Sequence, residues 1–395
     1  MKKSILLLLL AINFPGLQSF AQEPLKIPPR YRIAVFAPLY LDSVFNNYKL
    51  RYEKSIPKFI MPSVEFVQGA QIALDSFELT NQNVEAYIYD TKSVKDSIVS
   101  LLNNHTLDSI NLIIGAVKDK DYKQLADVAL KYKIPFISAT YPNDGGITEN
   151  PFLVLINSTL RAHVEGIYSY LLENHGTDKI YLCRKRGALE DKIASYFKMI
   201  NDQEGKPLLN IQTIHFDSTV SPGFFKKRLD SLSTSVIIGG SLDEDFATML
   251  TDAAFAAFKK RYPVVLIGMP NWDGFKSLTR KDAYKDFAIH FTTPYYNSKS
   301  EKNYNFLNTE YMKRYKSKPT DMVCKGFETA QYFVNILMKY PEDFMSHLTD
   351  KNYRVFSEYN FRPVYIKKKS GIADYYENKH LYVMKIVNGV ISREW

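Results

Sequence analysis

Ile33-Ala34-Val35-Phe36-Ala37 is followed, across a polar connection, by Val64, Val67, Ala70, Leu74 and Phe77. The first run is wholly apolar, as a strand buried on both faces must be. The second set recurs at three- and four-residue spacing and marks one face of an amphipathic helix. A buried strand with a covering helix is the unit of a mostly parallel sheet, because parallel strands need a crossover and the crossover lies on a sheet face.

The same unit repeats outward. Strands are predicted at Val84 to Tyr89, Leu112 to Gly115 and Pro135 to Ser138, with helices near Ser93 to Asn103 and Asp119 to Tyr132. After Asn157 a second series begins: a helix to Glu173, strand Ile180 to Cys183, helix Leu189 to Ile200, and strands Ile211 to Phe216 and Ser235 to Ile238. A helix with Phe246, Met249, Leu250, Ala253 and Ala257 on its inner face follows, then strand Val264 to Ile267. The chain continues with strand Ile289 to Thr293, helices around Tyr304 to Tyr315 and Gly326 to Met338, and strand-like runs at Arg362 to Ile366 and Leu381 to Ile386. The fold class is therefore α/β, with two Rossmann-like halves. No low-complexity linker separates them, so lobes joined by several chain crossings are expected.

Composition narrows the setting. Lys2 and Lys3, the apolar run Ile5 to Ile12 and the small-residue site Ser19-Phe20-Ala21 form the three parts of a secretory signal, so residues 1–21 are expected to be removed during export. No later segment reaches the ~18 consecutive apolar residues of a membrane helix, and no stable membrane insertion is expected. A lipid-anchored exported protein would carry a cysteine at the cleavage point. The two cysteines, Cys183 and Cys324, lie far inside the chain in apolar surroundings and are expected as buried free thiols. The net charge of +9 is carried in clusters such as Lys259-Lys260-Arg261 and Lys367-Lys368-Lys369. In an exported chain without an aromatic-basic motif, such clusters suit solvated faces or anionic envelope polymers, and nucleic acid is not an expected partner.

At this point the chain resembles the type I periplasmic binding proteins of the branched-chain amino-acid-binding kind. The resemblance rests on Ile33 to Leu39, on Glu65 to Phe77 with Gly69-Ala70 inside it, and on Leu112-Ile113-Ile114-Gly115 with Pro135-Phe136-Ile137-Ser138-Ala139-Thr140. Val236-Ile237-Ile238-Gly239-Gly240, with Glu244 after it, completes it in the second half. It implies a first lobe of residues 31–156 plus 286–345, a second lobe of 157–285 plus 346–395, and a hinged cleft between them. It also implies an extracytoplasmic, periplasmic protein that closes around a small amino-acid-like or anionic ligand and serves an inner-membrane ABC permease or a sensor.

In open α/β sheets, ligands bind beyond the carboxyl ends of the strands, where backbone N–H groups lie free. The loops so placed contain Ala116 and Val117, Ala139 to Tyr141, Arg184 to Gly187, Ser241 to Glu244, and Met269 to Asp273. Ser138 and Thr140 match family positions that hold a ligand carboxylate, although a hydroxyl at a strand end also caps its own backbone. Glu244 falls where relatives place the carboxylate that meets a ligand ammonium, yet acids also favour a helix first turn. Tyr141, Trp272 and Tyr295 suit either stacking on a ligand or core packing. Arg184 and Arg186 could pair with an anionic ligand or stand in solvent. Two departures from the family, Ala116-Val117-Lys118-Asp119 in place of a Ser-rich loop and Arg184-Lys185-Arg186 in place of an aromatic, argue against an ordinary aliphatic amino acid.

No HExxH, CxxC, P-loop, GxGxxG or GxSxG signature is present, and the seven histidines are scattered without metal-ligand spacing. An enzyme is not expected, nor a cofactor or metal. The rival reading is a non-transport envelope scaffold on the same fold that contacts cell-wall synthesis enzymes, and it predicts a cleft closed by the protein's own side chains.

Overall fold

A computed structural model describes residues 30–395, apart from 48, 53–54, 81, 95–96, 204, 217–219, 222 and 367–370. The expected export signal and the cluster Lys367 to Lys369 lie outside the described residues.

The chain opens with β1 (Tyr31–Ala37), buried from Ile33 onward. A short helix α1 (Leu41–Val44) and a hairpin of β2 (Phe45–Asn46) and β3 (Lys49–Leu50) then interrupt the first βαβ unit before α2 (Met61–Leu79) returns to β4 (Val84–Asp90). Next come α3 (Ile98–Asn103), β5 (Leu112–Gly115), α4 (Asp119–Tyr132), β6 (Phe136–Ser138) and β7 (Leu153–Leu155). The helix expected from Ser93 starts only at Ile98, because the Ser97 side chain accepts the Ser100 N–H at 3.2 Å and caps it there.

The second lobe runs through α5 (Leu160–Asn174), β8 (Lys179–Arg184), α6 (Ala188–Asn201) and a small hairpin of β9 (Asp202–Gln203) and β10 (Lys206–Pro207). It continues with β11 (Ile211–His215), β12 (Ser235–Gly239), α7 (Glu244–Phe258), β13 (Val264–Ile267), α8 (Lys276–Thr279) and β14 (Ile289–Thr293). Helices α9 (Lys302–Tyr315) and α10 (Asp321–Lys339) then pack back on the first lobe, and β15 (Phe361–Val364), β16 (Tyr375–Asn378), β17 (Tyr382–Val387) and β18 (Val390–Arg393) finish the chain.

Two seven-stranded sheets result. Their orders are β15-β16-β7-β6-β5-β1-β4 and β11-β8-β12-β13-β14-β17-β18. Pairing is parallel except where β15, β17 and β18 run against their neighbours. One face of the first sheet packs under α2 and α10 and the other under α3 and α4, while the second sheet has its own core with Trp272 in it.

Sheet membership differs from the lobe boundaries expected above at two places. Ile289 to Thr293, expected in the first lobe, pairs in parallel with β13 and antiparallel with β17, which fixes it in the second sheet. Phe361 to Asn378, expected in the second lobe, pairs with β7 through β16 and extends the first sheet. The chain therefore crosses between lobes three times, near Ile156, after Thr293 and after Asn378. A crossing of a few residues carries no compositional mark, which is why periodicity alone misplaced these strands.

The first and third crossings lie side by side. The Ser158 hydroxyl donates to the Asn378 carbonyl at 2.7 Å, and the Thr159 N–H donates to Glu377 Oε1 at 2.8 Å. Lys379 then binds Glu377 from the first lobe and Glu165 from the second, at 2.6 and 2.9 Å.

Candidate functional site

The carboxyl ends of β7, β14 and β16 lead into the three crossings, beside the space between the lobes. The second crossing, Thr293 to Asn297, runs along one side of that space and lines a cavity of ≈ 540 Å³. Both lobes build it. The first contributes Asp321, Cys324, Lys325 and Glu328 from the start of α10, with Phe356 and Ser357; the second contributes Asp273, Phe291, Thr293, Met384 and the β18 residues Ile391, Ser392 and Arg393.

The polar groups of this cavity are arranged by helix and strand ends. Thr320 caps α10, its hydroxyl oxygen accepting the Val323 N–H at 3.3 Å, so the positive end of a long helix borders the cavity. One turn in, the Lys325 ammonium lies 4.2 Å above the Tyr295 ring. Among the described residues Lys325 forms no ion pair; burial lowers its pKa, and the nearby carboxylates of Asp321, Asp273 and Glu328 oppose that shift without contact. A desolvated ammonium without a fixed counter-ion is poised to receive an anion.

Glu328, one turn further along α10, is fully enclosed. Its carboxyl accepts the N–H groups of Phe356, at 3.1 Å, and of Ser357, and the Ser357 hydroxyl donates to it at 3.1 Å. Burial pushes its pKa up to about 7 despite these bonds. Ser357 also accepts the Tyr296 N–H at 3.1 Å, so this group ties the second crossing to α10. On the opposite wall Arg393 stacks on Tyr382 at 5.0 Å and Tyr296 at 5.8 Å, while Asp273 stands exposed at the rim. The cavity thus offers cations on two walls and a carboxylate at its mouth. It suits a small molecule carrying an anionic group, with or without an ammonium.

Of the residues that sequence reading proposed, Tyr295 lines this cavity, and its hydroxyl donates to the Ala139 carbonyl across the cleft wall. The others lie elsewhere or are engaged by the protein itself. Ala116 and Val117 are buried, the Ala116 N–H donating to the Phe36 carbonyl at 2.9 Å. The Thr140 carbonyl accepts from Asn157 Nδ2 at 2.8 Å, and Ser138 is fully buried with a hydroxyl that meets no partner among the described residues. Tyr141 packs on Tyr122 at 5.0 Å between ring centroids and donates to Asp119 at 3.3 Å, on the flank of α4.

In the second lobe the Arg184 guanidinium pairs with Asp191 and faces a separate groove between α6 and β11, while Arg186 is exposed. The Ser241 hydroxyl donates to the buried Glu190 at 2.6 Å. Glu244 opens α7 on the outer flank and accepts from the Ser277 hydroxyl at 3.2 Å, Asp243 being the residue that caps the helix. Trp272 is a core side chain: it is 0% exposed and its Nε1–H donates to the Ser241 carbonyl at 3.0 Å.

Sequence reading missed Lys325, Glu328 and Arg393, and held Asp273 only as the end of the loop Met269 to Asp273, which does reach this cavity. The available signal was Lys325 and Glu328 interrupting Val323-Cys324-Lys325-Gly326-Phe327-Glu328, where the helical face is otherwise apolar. Cys324 and Cys183 are free and buried, as expected, and burial pushes both thiols up. Among the described residues no cluster of His, Cys, Asp and Glu could hold a metal ion, and no helix is long and apolar enough to cross a membrane.

Comparison with known proteins bears on this geometry. Residues 62–362 match the family model described as periplasmic binding protein. No curated protein sequence matches the chain. Among solved structures, a putative branched-chain amino acid ABC transporter protein from Rhodospirillum rubrum is similar at a TM-score of 0.65 and 11% identity, over 93% of this chain and 100% of that one. A branched-chain amino acid ABC transporter periplasmic ligand-binding protein from Burkholderia xenovorans LB400 gives 0.60 and 12%, over 93% and 95%. The substrate-binding protein LivJ from Streptococcus pneumoniae, solved with isoleucine, gives 0.50 and 16%, over 93% and 99%. At these identities the likeness is one of fold.

Proposed function

This chain belongs to the periplasmic binding protein family, and from that premise we propose that it is an extracytoplasmic solute-binding protein that closes around an amino-acid-like or anionic small molecule. The carrying observation is the ≈ 540 Å³ cavity built by both lobes, with Lys325 free of any ion pair among the described residues. A ligand that touches both walls stabilises the closed arrangement by its differential contacts, which is how a hinge protein converts binding into closure. Delivery to an ABC-type permease or to a sensor completes the proposal, since both recognise a closed binding protein. Tyr295, Lys325 and Arg393 are proposed as ligand contacts.

The test is a thermal-shift screen against amino acids, dicarboxylates, short peptides and peptidoglycan fragments. A ligand at a hundredfold its Kd stabilises the folded state by about 2.7 kcal/mol. A shift that disappears in Lys325→Met supports both the function and the cavity. A shift that survives the substitution moves the ligand to another site.

One observation favours the scaffold reading: the strand-end groups at Ser241, Arg184 and Ala139 are bonded within the protein. A null screen, with co-purification of cell-wall synthesis enzymes from envelope extracts, would establish that reading instead.

A further inference from the structure

Between β1 and α2 the chain leaves the sheet for a projection that no core requires. Of the described residues from 41 to 59, Val44 alone is buried, at 1% exposure, and Ile60 at 2% pins the far end. The projection nevertheless stands on a firm base. Asp90, at the carboxyl end of β4, accepts the N–H groups of Leu39, Tyr40 and Leu41 at 2.8, 3.1 and 2.7 Å. Phe45 pairs with Leu50 across the hairpin, and Tyr40 holds the Phe59 ring edge-on at 5.3 Å.

On this base the protein displays large apolar side chains to solvent: Leu41 at 45%, Phe45 at 36%, Leu50 at 38% and Phe59 at 64% exposure. Val94, 84% exposed, is drawn beside α1 because its N–H donates to Asp42 at 2.9 Å. Scattered exposed apolar residues need no explanation, but a cluster on one projection marks an interaction surface. Its charge indicates what it meets. Residues 41–59 carry Lys49, Arg51, Lys54 and Lys58 against Asp42 and Glu53, within a chain of net charge +9. Lys49, Arg51 and Lys58 are exposed, Arg51 Nε donating to the Phe45 carbonyl at 3.1 Å, whereas Asp42 is occupied by the Val94 N–H and the Ser93 hydroxyl.

We propose that the projection Leu41 to Phe59 docks this protein peripherally on a bilayer rich in acidic phospholipid. Aromatic and aliphatic side chains seat at the level of the headgroups while lysine and arginine meet lipid phosphate. Each cation near such a surface strengthens binding several-fold, and salt weakens it within a Debye length. The projection rises at the cleft-facing end of the first sheet, so docking would hold the first lobe at the membrane and leave the second to close on it. This surface is independent of the solute-binding cavity.

Protein recovered from the periplasmic fraction is sedimented with vesicles of phosphatidylglycerol and phosphatidylethanolamine, with phosphatidylcholine vesicles, and alone. Pelleting with the acidic vesicles only, reversed by salt, is the expected result. Phe45→Ser with Phe59→Ser, and separately Lys49→Glu with Arg51→Glu, should each lower the bound fraction about tenfold or more. All four side chains are exposed, so both variants should melt with the parent; should the first not, Phe59→Ser alone replaces it, and should the second not, Lys49→Glu alone does, since Arg51 Nε also bonds the Phe45 carbonyl. No pelleting, equal pelleting on neutral vesicles, pelleting without vesicles, or full binding by both variants would each overturn the proposal.

Discussion

Glu328 is the residue with most to reveal about the cavity, because its charge is held where water cannot solvate it. The folded pKa of about 7 lies above the ordinary glutamate value of 4.5, so the unfolded chain releases this proton first as pH rises. Stability is therefore full below pH ~4.5, falls through the window from ~4.5 to ~7, and is lowest above it, a difference of about 3 kcal/mol. Glu328→Gln keeps an acceptor for the Phe356 and Ser357 amides without the charge. It should match the parent near pH 4.5 and melt higher at pH 8; a constant offset across pH would show that the carboxyl is not the titrating group. His163 slopes the other way: burial lowers its pKa to about 3, so its contribution is lost below pH ~6.5 as pH falls toward 3, and the parent-to-variant comparison removes it. Trp272 supplies the contrasting case of a residue whose work is packing. Trp272→Ala should cost about 3–5 kcal/mol in urea unfolding yet leave any ligand-induced shift in place, and loss of the shift in a folded variant would return Trp272 to the site. A tryptophan after a strand end reads equally well as stacker or core, and what decides is a distant fact: a Cβ at Gly239 or Gly268 would lie 2.3 or 2.1 Å from its ring. Lys325 was legible only in part: with Glu328 it interrupts an apolar helical face, but nothing local says that such a lysine faces a cleft rather than water.

Elements were far more legible than residues. Every long strand and helix expected from apolar periodicity is present within a few residues, because burial on a sheet imposes that periodicity directly. The strands not foreseen are short or polar: the three residues of β7, the Tyr375–Asn378 strand β16 and β18, which is exposed along its whole length. The Gly69-Ala70 pair, noticed inside α2 only as part of a resemblance, has a physical cause in the crossing of α2 and α10. A Cβ on Gly69 would sit 1.9 Å from the Val323 carbonyl oxygen, and one on Gly326 would sit 1.9 Å from that of Phe66. Backbone cannot yield as a side-chain tip can, so either alanine forces the helices apart. Gly69→Ala and Gly326→Ala should each destabilise by about 2 kcal/mol or more in urea unfolding, overpacking outweighing the ~1 kcal/mol that alanine gains in a helix. Once one methyl has opened the crossing the other should fit more easily, so the double variant should lose less than the sum. Full additivity would mean that the two glycines do not share one contact.

At the scale of the whole molecule, two interleaved lobes were foreseeable and the sheet that each late strand joins was not, because that is settled by three crossings that leave no mark in composition. Those crossings also carry the contacts that join the lobes. Lys379 sits on the third, holding Glu377 at the end of a first-lobe strand and Glu165 on a second-lobe helix. Burial works against its ammonium, but the two carboxylates outweigh burial and raise its pKa. Glu377 is 1% exposed, so removing the lysine strands a buried carboxylate, whose uncompensated charge typically costs about 3–5 kcal/mol. Lys379→Met should therefore be destabilised by that order in urea unfolding, and adding Glu377→Gln should restore a large part of the loss. The same ion triad ties a first-lobe strand to a second-lobe helix beside the crossings. If it is the pivot, small-angle scattering of Lys379→Met without ligand should show a larger radius of gyration than the parent under conditions where both are folded. If stability falls while the scattering curve is unchanged, Lys379 holds the first and third crossings together, and the lobe angle is set by the second crossing, where Ser357 joins Tyr296 to Glu328 beside the cavity.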